Sequence, residues 1–132
     1  MDETVARRSG ACLCGATRYE SSTTDAVMQC HCVNCRRLTG NFVAAVRADW
    51  ATTTIVDDSE LEWFELGYAR YGSCRACGST LFFQAEETPD LVSVMVGTLD
   101  VADGLWLKSV WFSHEAQPHN PIPDVPLHEG NG

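Results

Sequence analysis

Short apolar segments rich in β-branched and aromatic residues recur along the chain, and polar or glycine-containing turns separate them. No stretch keeps apolar residues at the three- and four-residue spacing of an amphipathic helix over a dozen positions. This pattern predicts an all-β protein of short antiparallel strands with few or no helices. The predicted strands cover residues 16–20, 26–30, 42–46, 52–56, 61–66, 80–84, 91–97 and 105–112.

One helical turn is predicted after Cys32, where the chain runs through Asn34 to Leu38 and then reaches Gly40, a residue type that commonly ends helices. The composition changes after residue 115, because four prolines in the last 17 residues remove backbone hydrogen-bond donors. We expect this part to form an extended strap. The chain is therefore divided into an N-terminal tail (residues 1–8), a central domain (residues 9–115) and a Pro-rich C-terminal strap or tail (residues 116–132).

Charge and hydropathy narrow the classes of partner. Nine Lys and Arg residues stand against eighteen Asp and Glu residues, so the formal net charge is −9 and the chain is expected to repel nucleic-acid phosphates. No apolar run approaches the ~20 residues of a membrane-spanning helix. The first ten residues are charged and carry no apolar segment, so we expect a cytoplasmic location.

The cysteines indicate metal binding. There are seven, an odd number, and they form tight clusters instead of the dispersed pattern typical of disulfides. In Cys-x-x-Cys the two sulfurs can face one tetrahedral ion, and in Cys-x-Cys residues two apart on a strand point to the same face. The clusters are Cys12 with Cys14, then Cys30, Cys32 and Cys35, and finally Cys74 with Cys77.

The number of cysteines predicts two zinc ions per chain. A closed structural site takes four cysteines, which the two separated pairs can provide, and three ligands within six residues remain. Three protein ligands with a free fourth position are typical of a reactive zinc site. A different division of the seven cysteines into four and three is the alternative. The structural ligands are predicted to be Cys12, Cys14, Cys74 and Cys77, and the catalytic ligands Cys30, Cys32 and Cys35.

A second alternative makes the three-cysteine cluster another structural site that a histidine completes. His31 lies between two ligands, and on an extended segment its side chain would point away from them. His114, His119 and His128 lie in the predicted loop and tail regions. The open site is therefore the favoured interpretation.

The charge of the open site predicts its ligand. Zinc with three thiolates has a net charge of −1, and strong donation by sulfur makes it a weak Lewis acid. A thiol is softer and more acidic than water, so it is the natural fourth ligand. Once bound as a thiolate, it is either a nucleophile held beside a second reactant or the leaving group of a thiol adduct.

Three motifs in register resemble the glutathione-dependent formaldehyde-activating (Gfa-like) family over roughly residues 9–115. They read GACLCGA from residue 10, CHCVNCRRLTG from residue 30 and CRACGSTLF from residue 74. The resemblance implies a β-tent fold organised around zinc, with the same structural and catalytic cysteines. It also implies a carbon–sulfur lyase that adds glutathione reversibly to formaldehyde, giving S-hydroxymethylglutathione.

Three residues beside the open site are candidate substrate contacts. Arg36 and Arg37 could hold a substrate carboxylate or offset the negative metal centre, or they could pair with acidic residues on the surface. Asn34 could contact the substrate, although capping the turn or donating to a sulfur is the alternative role. We interpret the protein as a zinc-dependent carbon–sulfur lyase that acts on a small thiol adduct. The alternative function is a non-catalytic zinc scaffold that binds a protein partner.

Overall fold

A mainly antiparallel sheet of ten strands dominates the computed structural model, which describes residues 2–132. The all-β prediction is confirmed, with one α-helix and three short 3₁₀ turns in the described part. Met1, the first residue of the predicted N-terminal tail, lies outside the described residues. The strands are β1 (Val5–Ala11), β2 (Arg18–Thr24), β3 (Ala26–Cys30), β4 (Val43–Asp49), β5 (Thr54–Asp57), β6 (Leu61–Glu65), β7 (Ala69–Cys74), β8 (Thr80–Ala85), β9 (Leu91–Met95) and β10 (Trp106–Trp111). The helix α1 spans Val33–Thr39, and the 3₁₀ turns span Trp50–Thr52, Val96–Thr98 and Ser113–Glu115.

The strands follow the order β1-β2-β4-β9-β8-β7-β6 across the sheet. Beside this path, β5 pairs with β2, and β3 pairs antiparallel with β4. β10 pairs with β3 in parallel, which places Trp111 opposite Cys30. The end of β10 is therefore directly beside the three-cysteine cluster.

Two strands were not predicted, and one is displaced. β1 is polar and mostly exposed, whereas β7 contains Arg70 and Gly72 and lacks an apolar run. β2 extends from residue 18 to residue 24 instead of covering residues 16–20, because Ser21 and Thr23 are buried like core residues. The Ser21 hydroxyl is satisfied by the Thr53 hydroxyl, 2.7 Å away. In a sequence, serine and threonine residues are typical of turns, so their burial within a strand was not predicted.

The central strand β4 has a buried face on each side. Val43 and Ala45 pack into one core cluster, and Val46 and Ala48 pack into another, as the two-residue period of a strand requires. The first cluster also contains Cys30, Cys35, Tyr71 and Met95. The second also contains Cys12, Tyr19, Cys74, Leu81, Phe82, Val92 and Val94. The two cysteine groups therefore lie on opposite faces of the central sheet.

The C-terminal segment, residues 116–132, follows the outer edge of β10. The Val110 amide donates to the Pro126 carbonyl at 3.0 Å, and the His128 amide donates to the Val110 carbonyl at 2.9 Å. The prolines are compatible with this edge, since carbonyls and the remaining amides make the hydrogen bonds. Among residues 2–132, no helix has the length and apolar character needed to cross a membrane.

Gly10 on β1 gives a test of the packing between β1 and the central core. A Cβ at this position would lie 2.5 Å from the Thr98 carbonyl oxygen and against the Tyr19 ring. We expect Gly10→Ala to lower the free energy of unfolding by about 2–3 kcal/mol, because the backbone oxygen cannot move aside easily. Urea unfolding measures the change.

Gly97→Ala is the matched control, since a Cβ at Gly97 would meet no atom within 4 Å. Its free energy of unfolding should stay within about 0.5 kcal/mol of wild type. Equal stabilities for the two variants would contradict the described contact between β1, Tyr19 and Thr98.

Candidate metal centres

Four cysteines converge from two turns that are distant in the sequence. Cys12 and Cys14 follow β1, Cys74 ends β7 and Cys77 lies in the turn before β8. Their sulfurs all lie within 4.8 Å of one another, with 3.6 Å between Cys12 and Cys14 and 3.8 Å between Cys14 and Cys74. Zn–S bonds of about 2.3 Å in a tetrahedron separate sulfurs by roughly 3.8 Å. The group therefore fits a tetrahedral zinc ion.

Each of the two turns depends on a glycine after its last cysteine. Gly15 and Gly78 have φ angles of 79° and 81°, a region that side chains with a Cβ rarely adopt. The Gly15 amide donates to the Cys12 carbonyl at 3.1 Å, and the Gly78 amide donates to the Cys74 carbonyl at 2.7 Å. These hydrogen bonds fold each turn so that its two sulfurs face the same point.

Ser79 connects the two turns. Its hydroxyl oxygen accepts a hydrogen bond from the Leu13 amide at 3.0 Å, which leaves the hydroxyl proton free for the Cys77 sulfur at 3.1 Å. Hydrogen bonds from Ser79 lower the pKa of Cys77 to about 5, so this sulfur is a thiolate at neutral pH. Ser79 was not among the residues predicted from the sequence, although it lies only two positions after the ligand Cys77.

The three-cysteine cluster is built where β3 meets α1. Cys30 ends the strand, Cys32 caps the helix, and Cys35 lies in its first turn. The Cys35 amide donates to the Cys32 sulfur at 3.3 Å, so the helix N-terminus directs a backbone dipole at this ligand. The helix ends at Gly40 with φ 89°, as predicted. The three sulfurs lie within 4.8 Å of one another.

Tyr71 contacts this cluster from the sheet below. Its hydroxyl lies 3.3 Å from the Cys35 sulfur, and the side chain is fully buried. Burial raises the pKa of Tyr71, so the hydroxyl keeps its proton and donates to a Cys35 thiolate.

The three thiols share negative charge unequally. Hydrogen bonding from Cys30 lowers the pKa of Cys32 to about 2, and the same contact raises the pKa of Cys30. Three thiolates at this distance would repel one another strongly, and a bound cation removes that repulsion. The donor set of soft sulfur atoms favours zinc over hard cations such as Mg²⁺.

The three-cysteine cluster opens on a cavity of about 760 Å³, a volume typical of small-molecule sites. All three cysteines line it, whereas none of the four-cysteine group does. Val43, Tyr71 and Phe83 form part of the sheet side of the cavity, and Trp111 lines another part. The three-cysteine group thus faces a cavity that can hold a small molecule, whereas the four-cysteine group lies outside that cavity, with Cys14 exposed at the surface.

Histidines stay apart from the three sulfurs. Within residues 2–132, the metal-ligating groups that converge contain cysteines alone. His31 is buried with its ring against Phe42, at 4.9 Å between ring centres, and its amide donates to the Trp111 carbonyl at 3.1 Å. The fourth position of a metal at this cluster would therefore face the cavity.

The candidate substrate contacts are placed differently from one another. Asn34 lines the cavity, and its side-chain amide donates to the Tyr68 hydroxyl. Arg36 is partly buried, Arg37 is exposed, and neither lines the cavity. Arg47 lines it instead. Its strand position matches that of Val43 and Ala45, so the two-residue period of β4 could have identified it.

Comparison with known proteins identifies a family and a similar structure. The family model described as glutathione-dependent formaldehyde-activating enzyme matches residues 7–114. A crystal structure of a protein from Rhodobacter sphaeroides is similar, with a TM-score of 0.61 and 25% sequence identity. The alignment covers 90% of this chain and 98% of that chain. A search of curated proteins gave no match.

The four-cysteine and three-cysteine clusters are expected to respond differently to loss of a ligand. Binding of a structural zinc contributes on the order of 10 kcal/mol, which is comparable to the whole folding stability of a domain. Cys77→Ser should therefore unfold or aggregate the protein. Cys32→Ser should leave it folded, with one zinc ion per chain against two in wild type.

Metal analysis and circular dichroism, under reducing conditions, measure both effects. Cys32→Ser is the matched control for the chemistry of the substitution, because it also exchanges one sulfur for oxygen. If both variants lose stability equally, the division into structural and accessible clusters is wrong.

Proposed function

Because the chain belongs to the glutathione-dependent formaldehyde-activating enzyme family, we propose that it is a zinc-dependent carbon–sulfur lyase. Its reaction would join a small thiol reversibly to an aldehyde, with glutathione and formaldehyde as the reactants that the family description suggests. The observation that carries the proposal is the opening of three converging sulfurs, without a fourth protein ligand, into a cavity of about 760 Å³.

The reaction forms a carbon–sulfur bond as the carbonyl double bond becomes single, and it moves a proton from sulfur to oxygen. In the forward direction the thiol loses its proton, its sulfur attacks the carbonyl carbon, and the carbonyl oxygen takes up a proton to become a hydroxyl. A zinc ion held by Cys30, Cys32 and Cys35 would offer a fourth position for a thiolate and so lower the pKa of the thiol. The chain itself must supply orientation, water exclusion and the proton.

Tyr68 is the proposed proton donor. The Asn34 amide donates to the Tyr68 oxygen, so the phenolic proton remains free to point toward a reactant. Tyr68 is about half exposed, and partial burial of its ring raises its pKa further above neutral pH, so the hydroxyl carries its proton there. Both side chains line the cavity, and Asn34 lies between two of the cluster cysteines in the sequence. In the reverse reaction the tyrosine would take the proton back.

Apolar and aromatic side chains would keep water away from the reacting atoms. Met28, Phe83 and Trp111 line the cavity around the sulfurs. Tyr71 would hold the Cys35 thiolate in place through its hydroxyl. Exclusion of water also protects the aldehyde from hydration and strengthens each hydrogen bond to the developing alkoxide.

The alternative function, a zinc scaffold for a protein partner, would be favoured by a protein group that closes the fourth position. Within the described residues no histidine or acidic group joins the three sulfurs, so the lyase is the better account. Seven free cysteines suit a reducing compartment, and we expect the protein to act in the cytoplasm. The formal charge of −9 is unfavourable for binding nucleic acid.

Thiol binding tests the proposal directly. Cobalt replaces zinc readily in cysteine sites, and sulfur-to-cobalt charge-transfer bands gain intensity with each added thiolate. Glutathione should raise this intensity in the wild-type protein and leave Cys32→Ser unchanged. Spectra of wild type that no thiol alters would contradict the lyase and favour the scaffold.

Tyr68→Phe tests the proton donor. Loss of a general acid should lower kcat for S-hydroxymethylglutathione formation by about 100-fold, within the usual range for such groups. The cobalt spectrum with glutathione should stay as in wild type, because the thiol does not need the hydroxyl to bind. An unchanged kcat would exclude Tyr68 as the proton donor.

A further inference from the structure

Arg47 is a cation in the cavity of the three-cysteine cluster. It lies on β4 in the same two-residue period as Val43 and Ala45, so its side chain leaves the sheet on the cavity face. Among the described residues that line the cavity, it is the single Lys or Arg. The rest of the lining is mainly apolar, with carboxylates contributed by Glu86, Glu87 and Glu115.

The Arg47 guanidinium is held in place without an acidic partner. It lies over the ring of Trp111, with 4.9 Å from the guanidinium carbon to the ring centre. Within residues 2–132, Arg47 makes no salt bridge and no side-chain hydrogen bond, whereas Arg75 pairs with Glu60 at 3.0 Å. Stacking on an aromatic face leaves the N–H groups at the edge of the guanidinium available to a ligand.

The strand pairing places the ring beneath this charge next to the three-cysteine cluster. Trp111 is the direct partner of Cys30 in the parallel pair of β10 and β3. Neighbouring strands are about 4.8 Å apart. The backbone of Trp111, whose ring lies against Arg47, is therefore one strand spacing from the backbone of Cys30. A molecule bound by its sulfur at the cluster would therefore share the cavity with this guanidinium, four residues along β4 from Val43, the partner of Cys30.

We propose that Arg47 is a specificity-determining residue, which binds a carboxylate of the thiol substrate and is held for this task by Trp111. The inference rests on the proposed function and deepens it by selecting carboxylate-bearing thiols over neutral ones. The three carboxylates that line the cavity would repel a substrate carboxylate, so they also direct it toward Arg47. The sequence suggested the same role for Arg36 and Arg37, neither of which lines the cavity.

The test compares two thiols of nearly equal size, 3-mercaptopropionate and 3-mercaptopropionamide, by titration of the cobalt-loaded protein. Wild type should bind the carboxylate about 10- to 100-fold more tightly than the amide, as charge-assisted hydrogen bonds of this kind imply. Arg47→Met should remove that preference and leave the affinity for the amide within about twofold. Glutathione and its glycyl ethyl ester, in the same variants, extend the comparison to a larger thiol.

Arg37→Met is the matched control, because Arg37 is exposed like Arg47 but does not line the cavity. It should keep the wild-type preference. Arg47→Lys should keep part of the preference, since a lysine retains the charge but loses the planar fork. Metal content and circular dichroism establish that each variant is folded and loaded.

The outcomes separate the two proposals. Thiol binding with the same carboxylate preference in wild type and Arg47→Met would overturn the role of Arg47 and leave the proposed function standing. If Arg37→Met loses the carboxylate preference as fully as Arg47→Met does, the preference depends on net charge alone. That result would also overturn the role of Arg47. Absence of any thiol-induced spectral change in wild type would overturn both proposals.

Discussion

The sulfurs of Cys14 and Cys74 lie 3.8 Å apart, although the strands beside them are far apart in the sheet. Cys14 follows β1 at one end of the strand order, and Cys74 ends β7, five places further along. A flat sheet would hold these positions more than 20 Å apart at about 4.8 Å per strand. The sheet must therefore curl until the turns after β1 and β7 meet. The curl encloses Tyr19 and Phe82, whose rings make an edge-to-face contact at 4.9 Å.

The second cysteine cluster depends on this curl only indirectly. Cys30, Cys32 and Cys35 are close in the sequence, and a strand end with one helical turn is enough to bring them together. Strand β7 connects the two cysteine clusters. It places Cys74 on one face of the sheet and directs the Tyr71 hydroxyl toward Cys35 on the other. Strand β7 thus positions a ligand of the four-cysteine cluster and a hydrogen-bond donor to the three-cysteine cluster.

The local part of this arrangement could be predicted from the sequence. Cysteine spacing and the glycine at position 40 give the clusters and the helix end, because each depends on contacts within a few residues. Arg47, Tyr68 and Trp111 could not be grouped in this way. They meet through strand register, and a single sequence does not state which strands pair. Polar strands such as β1 and the second half of β2 were also not predicted. In β2, Ser21 and Thr23 are buried through hydrogen bonds that composition does not reveal.

The alternation along β4 has a consequence for how such proteins can diverge. Val46 and Ala48 face the core that contains Cys12 and Cys74, whereas Arg47 between them lines the cavity. Adjacent positions of β4 are therefore under different constraints. Folding constrains the positions that face the core, and the bound molecule constrains those that line the cavity. Mutations at the cavity positions can change ligand preference while the folding core is left intact. One scaffold could in this way supply many substrate specificities through substitutions confined to alternate positions of its strands.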